Sequence, residues 1–173
     1  MENIKSRKNN RLIDFDYSAA GAYFVTICAK DHKSIFGRIV VGDAALGVPH
    51  VQLSLYGEIV NDFINRIPIA NPNVNVPHYI IMPNHIHLIL EIVDADKGTP
   101  RAASPTTTTI PKIVNALKGL STKKAGIPLW QRNYHDHIIR NQPAYDRIAQ
   151  YIINNPITWQ KDCYFNSNTE ETT

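Results

Sequence analysis

A chain of 173 residues with 43% apolar content fits one globular domain with a buried core. Its longest apolar runs are short strands such as 86–90, interrupted by His87, far below the roughly 20 residues of a membrane span. The basic start, Met1 to Arg11, lacks the apolar region of a secretory signal, and two cysteines, Cys28 and Cys163, suit reduced thiols, so a cytoplasmic protein without disulfide or membrane contact is expected.

A net charge of +3 is too mild to imply a nucleic-acid partner, but its distribution is uneven. Lys5, Arg7, Lys8 and Arg11 form one basic cluster and Lys112, Lys118, Lys123 and Lys124 another, with Arg132 and Arg140 close behind. Such segregation is the footprint of a phosphate-binding surface, and equally of solvated helix faces.

In chain order, 21–28 is rich in aromatic and β-branched residues and predicts a central strand. Two short strands, 39–41 and 51–55, follow, joined by a Gly/Ala/Pro loop over 42–50. Leu55, Ile59, Val60, Phe63, Ile64 and Ile67 recur at helical spacing and predict the first packing helix. After Pro68, Pro72 and Pro77 come strands at 79–81 and 85–92 around a Met-Pro-Asn-His turn. The segment 94–109, with two prolines and a run of threonines, has no periodicity and is expected to be a mobile loop, as the tail 166–173 is expected to be disordered. Ile110-Pro111 opens a second helix with Ile113, Val114, Leu117 and Leu120 inward and its lysines outward. A last helix starts at Gln142-Pro143 and ends before Pro156, with Tyr145, Ile148, Ala149 and Ile152 as its packing stripe. This order predicts one α+β domain over 1–173 with a ferredoxin-like antiparallel sheet, helices on one face and an additional C-terminal helix.

Within 82–90 two histidines flank one isoleucine. Alternate strand residues share a face, so His85 and His87 present two imidazoles side by side, either as a metal-binding pair or as solvated edge residues. On the last helix Tyr151 and Asn155 stand four apart and share a face beside the packing stripe, at the boundary of core and solvent.

These residues, together with 7–12, 21–28, Phe36-Gly37, the Trp-Gln-Arg segment 130–140 and the Tyr-Ile-Ile-Asn-Asn-Pro segment 151–156, resemble the HUH single-tyrosine transposases, most closely the REP-associated (IS200-like) branch. The likeness spans nearly the whole chain in order. It implies the same ferredoxin-like fold, Tyr151 as nucleophile, and His85, His87 and Asn155 as ligands of a divalent metal, Mg²⁺ or Mn²⁺. It also implies cleavage and strand transfer on single-stranded or hairpin DNA through a 5′-phosphotyrosine, by a monomer as in that branch or a dimer with exchanged tyrosine helices as in insertion-sequence relatives; the short link from Arg140 to Tyr151 favours the monomer.

Two imidazoles would equally accept Zn²⁺, Ni²⁺ or Co²⁺. Arg7, Lys8, Arg11, Lys112, Lys118, Lys123, Lys124, Arg132 and Arg140 are the candidate DNA contacts. Tyr134 competes as nucleophile, but no amide stands one turn after it. His135 and His137 suit phosphate or base contacts, or helix capping. Trp130 suits base stacking or anchoring in the core. A rival reading is a non-catalytic DNA-hairpin-binding or regulatory protein on the same fold, and a third is a metal hydrolase unrelated to DNA.

Overall fold

The computed structural model describes residues 16–41, 47–93 and 108–165. Arg7, Lys8, Arg11, most of the expected loop 94–109 and the tail 166–173 lie outside these residues. The elements are β1 (Gly21–Cys28), β2 (Gly37–Val40), β3 (His50–Leu53), α1 (Leu55–Asn65), α2 (Ile67–Ala70), β4 (Val74–Met82), β5 (His85–Ile92), α3 (Ile110–Ala125), β6 (His135–Ile139) and α4 (Gln142–Asn154). Four strands form one antiparallel sheet in the order β4-β5-β1-β6, and β2 pairs with β3 in a separate ribbon. Counted among the sheet strands alone this is second, third, first, fourth, the split βαβ arrangement of a ferredoxin-like α+β domain.

Both faces of the sheet are covered. Tyr23, Val25, Ile27, Ile86, Leu88, Leu90 and Ile92 point to one face and form a continuous core with Val60 and Ile64 of α1 and Ile113, Val114 and Leu117 of α3. Each of these large side chains, once buried, contributes about 1.5–3 kcal/mol. On the opposite face Ile89 and Ile139 pack against Ala149 and Ile152 of α4. Helices α1 and α3 therefore share one face, and the C-terminal helix takes the other.

Capping side chains fix the helix starts. Ser54 accepts from the Gly57 N–H at 3.2 Å while donating to the Ile35 carbonyl at 2.6 Å, which ties α1 to the preceding segment. Asn141 Oδ1 accepts from the Ala144 N–H at 2.9 Å, with Pro143 in the first turn of α4.

Several expectations shift. Strand β4 begins at Val74 rather than Tyr79 and contains Pro77. It is an edge strand whose pairing slips between Asn75 and His78, and such an irregularity on an edge tolerates a residue with no N–H. Leu55 (74% exposed) and Leu120 (51% exposed) leave their expected inward stripes, being at the first position of α1 and on the outer edge of α3. His135 and His137 cap no helix; they lie in β6, opposite Thr26 and Phe24 of β1. Lys118 is not a free outward lysine: its ammonium donates to the carbonyls of Gln131 and Arg132 at 2.6 and 2.8 Å, and burial lowers its pKa. Trp130 is an anchor, buried 4.8 Å from the Phe36 ring with its indole N–H donated to Ser121 Oγ at 2.9 Å. No helix among the described residues is long and apolar enough to cross a membrane.

Candidate metal centre and nucleophile

The register of β5 turns its sequence alternation into a site. His87 lies opposite Thr26 of β1 and Ile80 of β4, and His85 opposite Cys28 and Met82, so both imidazoles emerge on the face covered by α4. They are central in the sheet and 0% and 2% exposed for His85 and His87, so the solvated-edge reading fails. Their Nε2 atoms stand 3.0 Å apart. Two ligands about 2.1 Å from an octahedral ion and at right angles to each other have about this spacing, so the pair fits cis positions on one divalent metal.

Hydrogen bonds to the far ring nitrogens settle how the rings present themselves. Asn84 donates its amide N–H to the Tyr164 carbonyl at 2.8 Å, which leaves Asn84 Oδ1 to accept from His85 Nδ1 at 2.9 Å. His85 in its neutral form then has a bare Nε2. His87 Nδ1 meets Thr26 Oγ1 at 2.8 Å, and a hydroxyl can either donate or accept, so His87 Nε2 can carry a proton or a lone pair. Such outer partners set tautomer and ring orientation in metal sites. Burial pushes both imidazoles below the ordinary histidine range, His87 to about 3, so both stay neutral and available as ligands near neutral pH.

Helix α4 places Tyr151 over this pair within the same chain. Its hydroxyl lies 3.2 Å from His87 Nε2 and donates to Asp162 Oδ2 at 2.9 Å; the residue is 39% exposed, so a substrate can reach it. The ring packs edge-on to Phe24 at 6.2 Å and 5.2 Å from the His87 ring. Burial first, then the bond to Asp162 and its negative charge, raise the phenol's pKa well above its usual value. A resting phenol is therefore protonated, and to serve as a nucleophile it would have to be activated by a base or a cation.

Asn155 ends α4 fully buried; its Nδ2 donates to Asp162 Oδ2 at 2.9 Å, while its Oδ1 is buried without a hydrogen-bond partner. Four groups thus converge: His85, His87, Tyr151 and Asn155. A fifth was missed from the sequence. Asp162 follows a short helical turn, Trp159–Lys161, and its carboxylate lies with the two histidines so that one ligand atom from each falls within 4.8 Å of the others. Burial alone would raise its pKa, but hydrogen bonds from the Tyr164 N–H, the Asn155 amide and the Tyr151 hydroxyl help to lower it. Two imidazoles with carboxylate or amide oxygens form a donor set suited to a divalent metal.

The other candidates fall elsewhere. Tyr134 is buried in the core on the α1 and α3 side of the sheet, so its phenol is on the wrong face for the histidines. Lys112, Lys123 and Lys124 are exposed on α3, behind the sheet as seen from Tyr151. Arg132 and Arg140 are exposed at the two ends of β6, whose His135 and His137 share the face of His87.

No known protein-family model matches the chain. It is 36% identical over 174 residues to a protein of Haemophilus influenzae described only as uncharacterised, covering 92% of this chain and 93% of that one. The two belong to one family. Among solved structures, the REP-associated tyrosine transposase bound to a REP hairpin superposes with a TM-score of 0.59 at 18% identity, over 86% of this chain and 74% of that one. The chain has the fold of that transposase.

Proposed function

We propose that this protein is a metal-dependent single-stranded DNA endonuclease and strand transferase of the REP-associated tyrosine transposase type, acting on palindromic hairpin DNA. The observation that carries this reading is the meeting of the Tyr151 hydroxyl with His87 Nε2 at 3.2 Å, on a face where two buried neutral imidazoles stand at ligand spacing. The shared fold supports it, and so does the hairpin bound to the structural relative.

In this reading Tyr151 attacks the scissile phosphorus. Its proton leaves along the hydrogen bond to Asp162 and on to solvent, a bond forms from the phenolic oxygen to phosphorus, and the bond from phosphorus to the 3′ oxygen breaks, the departing oxygen taking a proton from water. The products are a 5′-phosphotyrosine and a 3′-hydroxyl. Attack by a second 3′-hydroxyl reverses the step and joins strands without ATP, because the phosphodiester bond energy is kept. A bound Mg²⁺ or Mn²⁺ supplies positive charge for the phosphate oxygens and the forming phenolate. His85 and His87 would hold it, with an oxygen donor from the α4 side for which Asn155 and Asp162 are the candidates. Arg132 and Arg140, Lys112, Lys118, Lys123 and Lys124, and Arg7, Lys8 and Arg11 remain candidate phosphate contacts, Lys118 the weakest because its ammonium is already bonded. Tyr151 and the histidines come from one chain, so a monomer suffices.

The test is a covalent adduct. End-labelled single-stranded substrate with Mn²⁺ should leave label on the wild-type protein after denaturation; Tyr151→Phe should keep the fold and the hairpin affinity and lose the label. Tyr134→Phe should retain it. Hairpin binding without any adduct under Mg²⁺ or Mn²⁺ would instead establish a non-catalytic hairpin-binding protein.

A further inference from the structure

Asp162 has more polar contacts than a surface turn requires. Its Oδ1 accepts from the Tyr164 N–H at 2.8 Å, and its Oδ2 accepts both the Tyr151 hydroxyl and the Asn155 amide, each at 2.9 Å. None of these three donors is a cation. A half-buried carboxylate so held, with a ligand atom of each of the two imidazoles and its own oxygen all within 4.8 Å of one another, is a negative charge whose natural counter-charge is a metal ion between them.

Resting on the reading of this face as a metal centre, we infer that Asp162 is itself an oxygen ligand of the metal, and that the turn 159–165 is part of the centre.

Asn155 then acts as a positioning residue. Its Nδ2 faces Asp162 Oδ2, and the opposite amide orientation would set two acceptor oxygens against each other. The carboxylate therefore dictates which way the amide points. The turn reaches both sides of the site: the Tyr164 ring lies tilted against the His85 ring at 4.7 Å, and its carbonyl takes the Asn84 amide whose oxygen orients His85. Trp159 closes the same ring at 5.9 Å. Ligand and orienting groups thus travel on one short segment, so docking of the segment and binding of the metal are linked. A carboxylate oxygen also makes the site harder, which favours Mn²⁺ and Mg²⁺ over the softer ions that two imidazoles alone would accept.

The experiment measures Mn²⁺ affinity of the full chain by calorimetry or by the free-Mn²⁺ electron paramagnetic resonance signal, without DNA. Wild type should bind one ion; Asp162→Asn should lose about 100-fold in affinity, Asp162→Glu should recover part of it, and Asn155→Ala should lose about tenfold, the size expected of an orienting partner. Amide hydrogen exchange over 159–165 should slow on adding Mn²⁺ in wild type and not in Asp162→Asn. The inference is overturned if Asp162→Asn binds Mn²⁺ no worse than Asn155→Ala, because the amide oxygen is then the better ligand. Failure here and failure of the strand-transfer reading separate cleanly. Loss of Mn²⁺ affinity in Asp162→Asn with no phosphotyrosine adduct in wild type would keep the ligand and discard the chemistry, and an adduct with undiminished Mn²⁺ binding in Asp162→Asn would do the reverse.

Discussion

The two faces of the sheet are built from the same strands and do opposite work. On β5, Ile86, Leu88, Leu90 and Ile92 enter the core beneath α1 and α3, while His85 and His87 of the same strand enter the site beneath α4. The first face is dominated by apolar side chains and closed by two helices. The second is apolar where Ile89 and Ile139 meet α4, but around the histidines it also buries polar groups, Thr26, Asn84 and Asn155, and the Nδ1 atoms of both rings have named partners. A period of two lets one strand anchor the fold and aim the chemistry at once, because every second residue is free of the core's demand for apolar side chains. Stability and activity should therefore separate by parity along β5 and β1.

The largest test of that separation pairs Leu88→Ala with Thr26→Val. Leu88 is fully buried on the apolar face, so its truncation should cost about 2–5 kcal/mol in urea unfolding while folded protein keeps its metal affinity. Thr26→Val keeps shape but removes the hydroxyl at 2.8 Å from His87 Nδ1, and should lower Mn²⁺ affinity about 10–100-fold with a smaller stability loss. If Thr26→Val destabilises as much as Leu88→Ala and leaves Mn²⁺ binding intact, the division of labour between the faces is wrong.

This division also decides what was legible in the sequence. Strand β1, helix α3 and helix α4 announce themselves through local periodicity and Pro at helix starts, and the His-x-His spacing shows that two imidazoles share a face whichever face it is. Which side α4 covers is not local: it depends on the β5–β1 register and on Ile89 and Ile139 meeting Ile152. Tyr151 and Asn155 could be paired from their four-residue spacing. Asp162 and Thr26 could not, since each reaches the site through a turn or a strand pairing far away in sequence, and Asn84, although next to His85, takes its orientation from the distant Tyr164 carbonyl. Pro77 misled for a related reason, because a proline breaks a strand in general but not at an irregular edge.

A second test uses protons. His85 and His87 have folded pKa values below their unfolded value near 6.5, so the unfolded chain takes up protons first as pH falls. Their neutrality therefore contributes stability fully present above about pH 6.5, and this stability is lost as pH drops toward the folded value, about 3 for His87. Between pH 7 and 5 the loss should be roughly 2 kcal/mol per histidine. Replacing both histidines by leucine should flatten unfolding free energy over that range, whereas Leu88→Ala should lower the whole curve without changing its slope. A slope unchanged in the double leucine variant would place the titrating groups elsewhere.

The smallest effect concerns DNA, and it asks whether the apolar-core side of the molecule also touches the substrate. Lys123 and Lys124 stand in the last turn of α3, on that side, while Arg132 and Arg140 flank β6, whose His135 and His137 share the face of His87. Each phosphate contact on a single strand contributes about 0.7 to the slope of log affinity against log salt, so losing either pair should flatten the slope by about 1.4. With about five contacts in all, wild type should show a slope on the order of −4. The pairs should differ in chemistry: β6 carries His135 and His137 on the His87 face, so the charges at its ends are the ones expected to position the reacting phosphate, and Arg132→Ala with Arg140→Ala should also slow adduct formation at saturating DNA. Lys123→Ala with Lys124→Ala should weaken binding alone, since those ammonium groups sit behind the sheet and can hold only the distal part of a hairpin. Equal slowing of the adduct by both pairs would mean that the substrate wraps the α3 side closely enough for both faces to position the reacting phosphate.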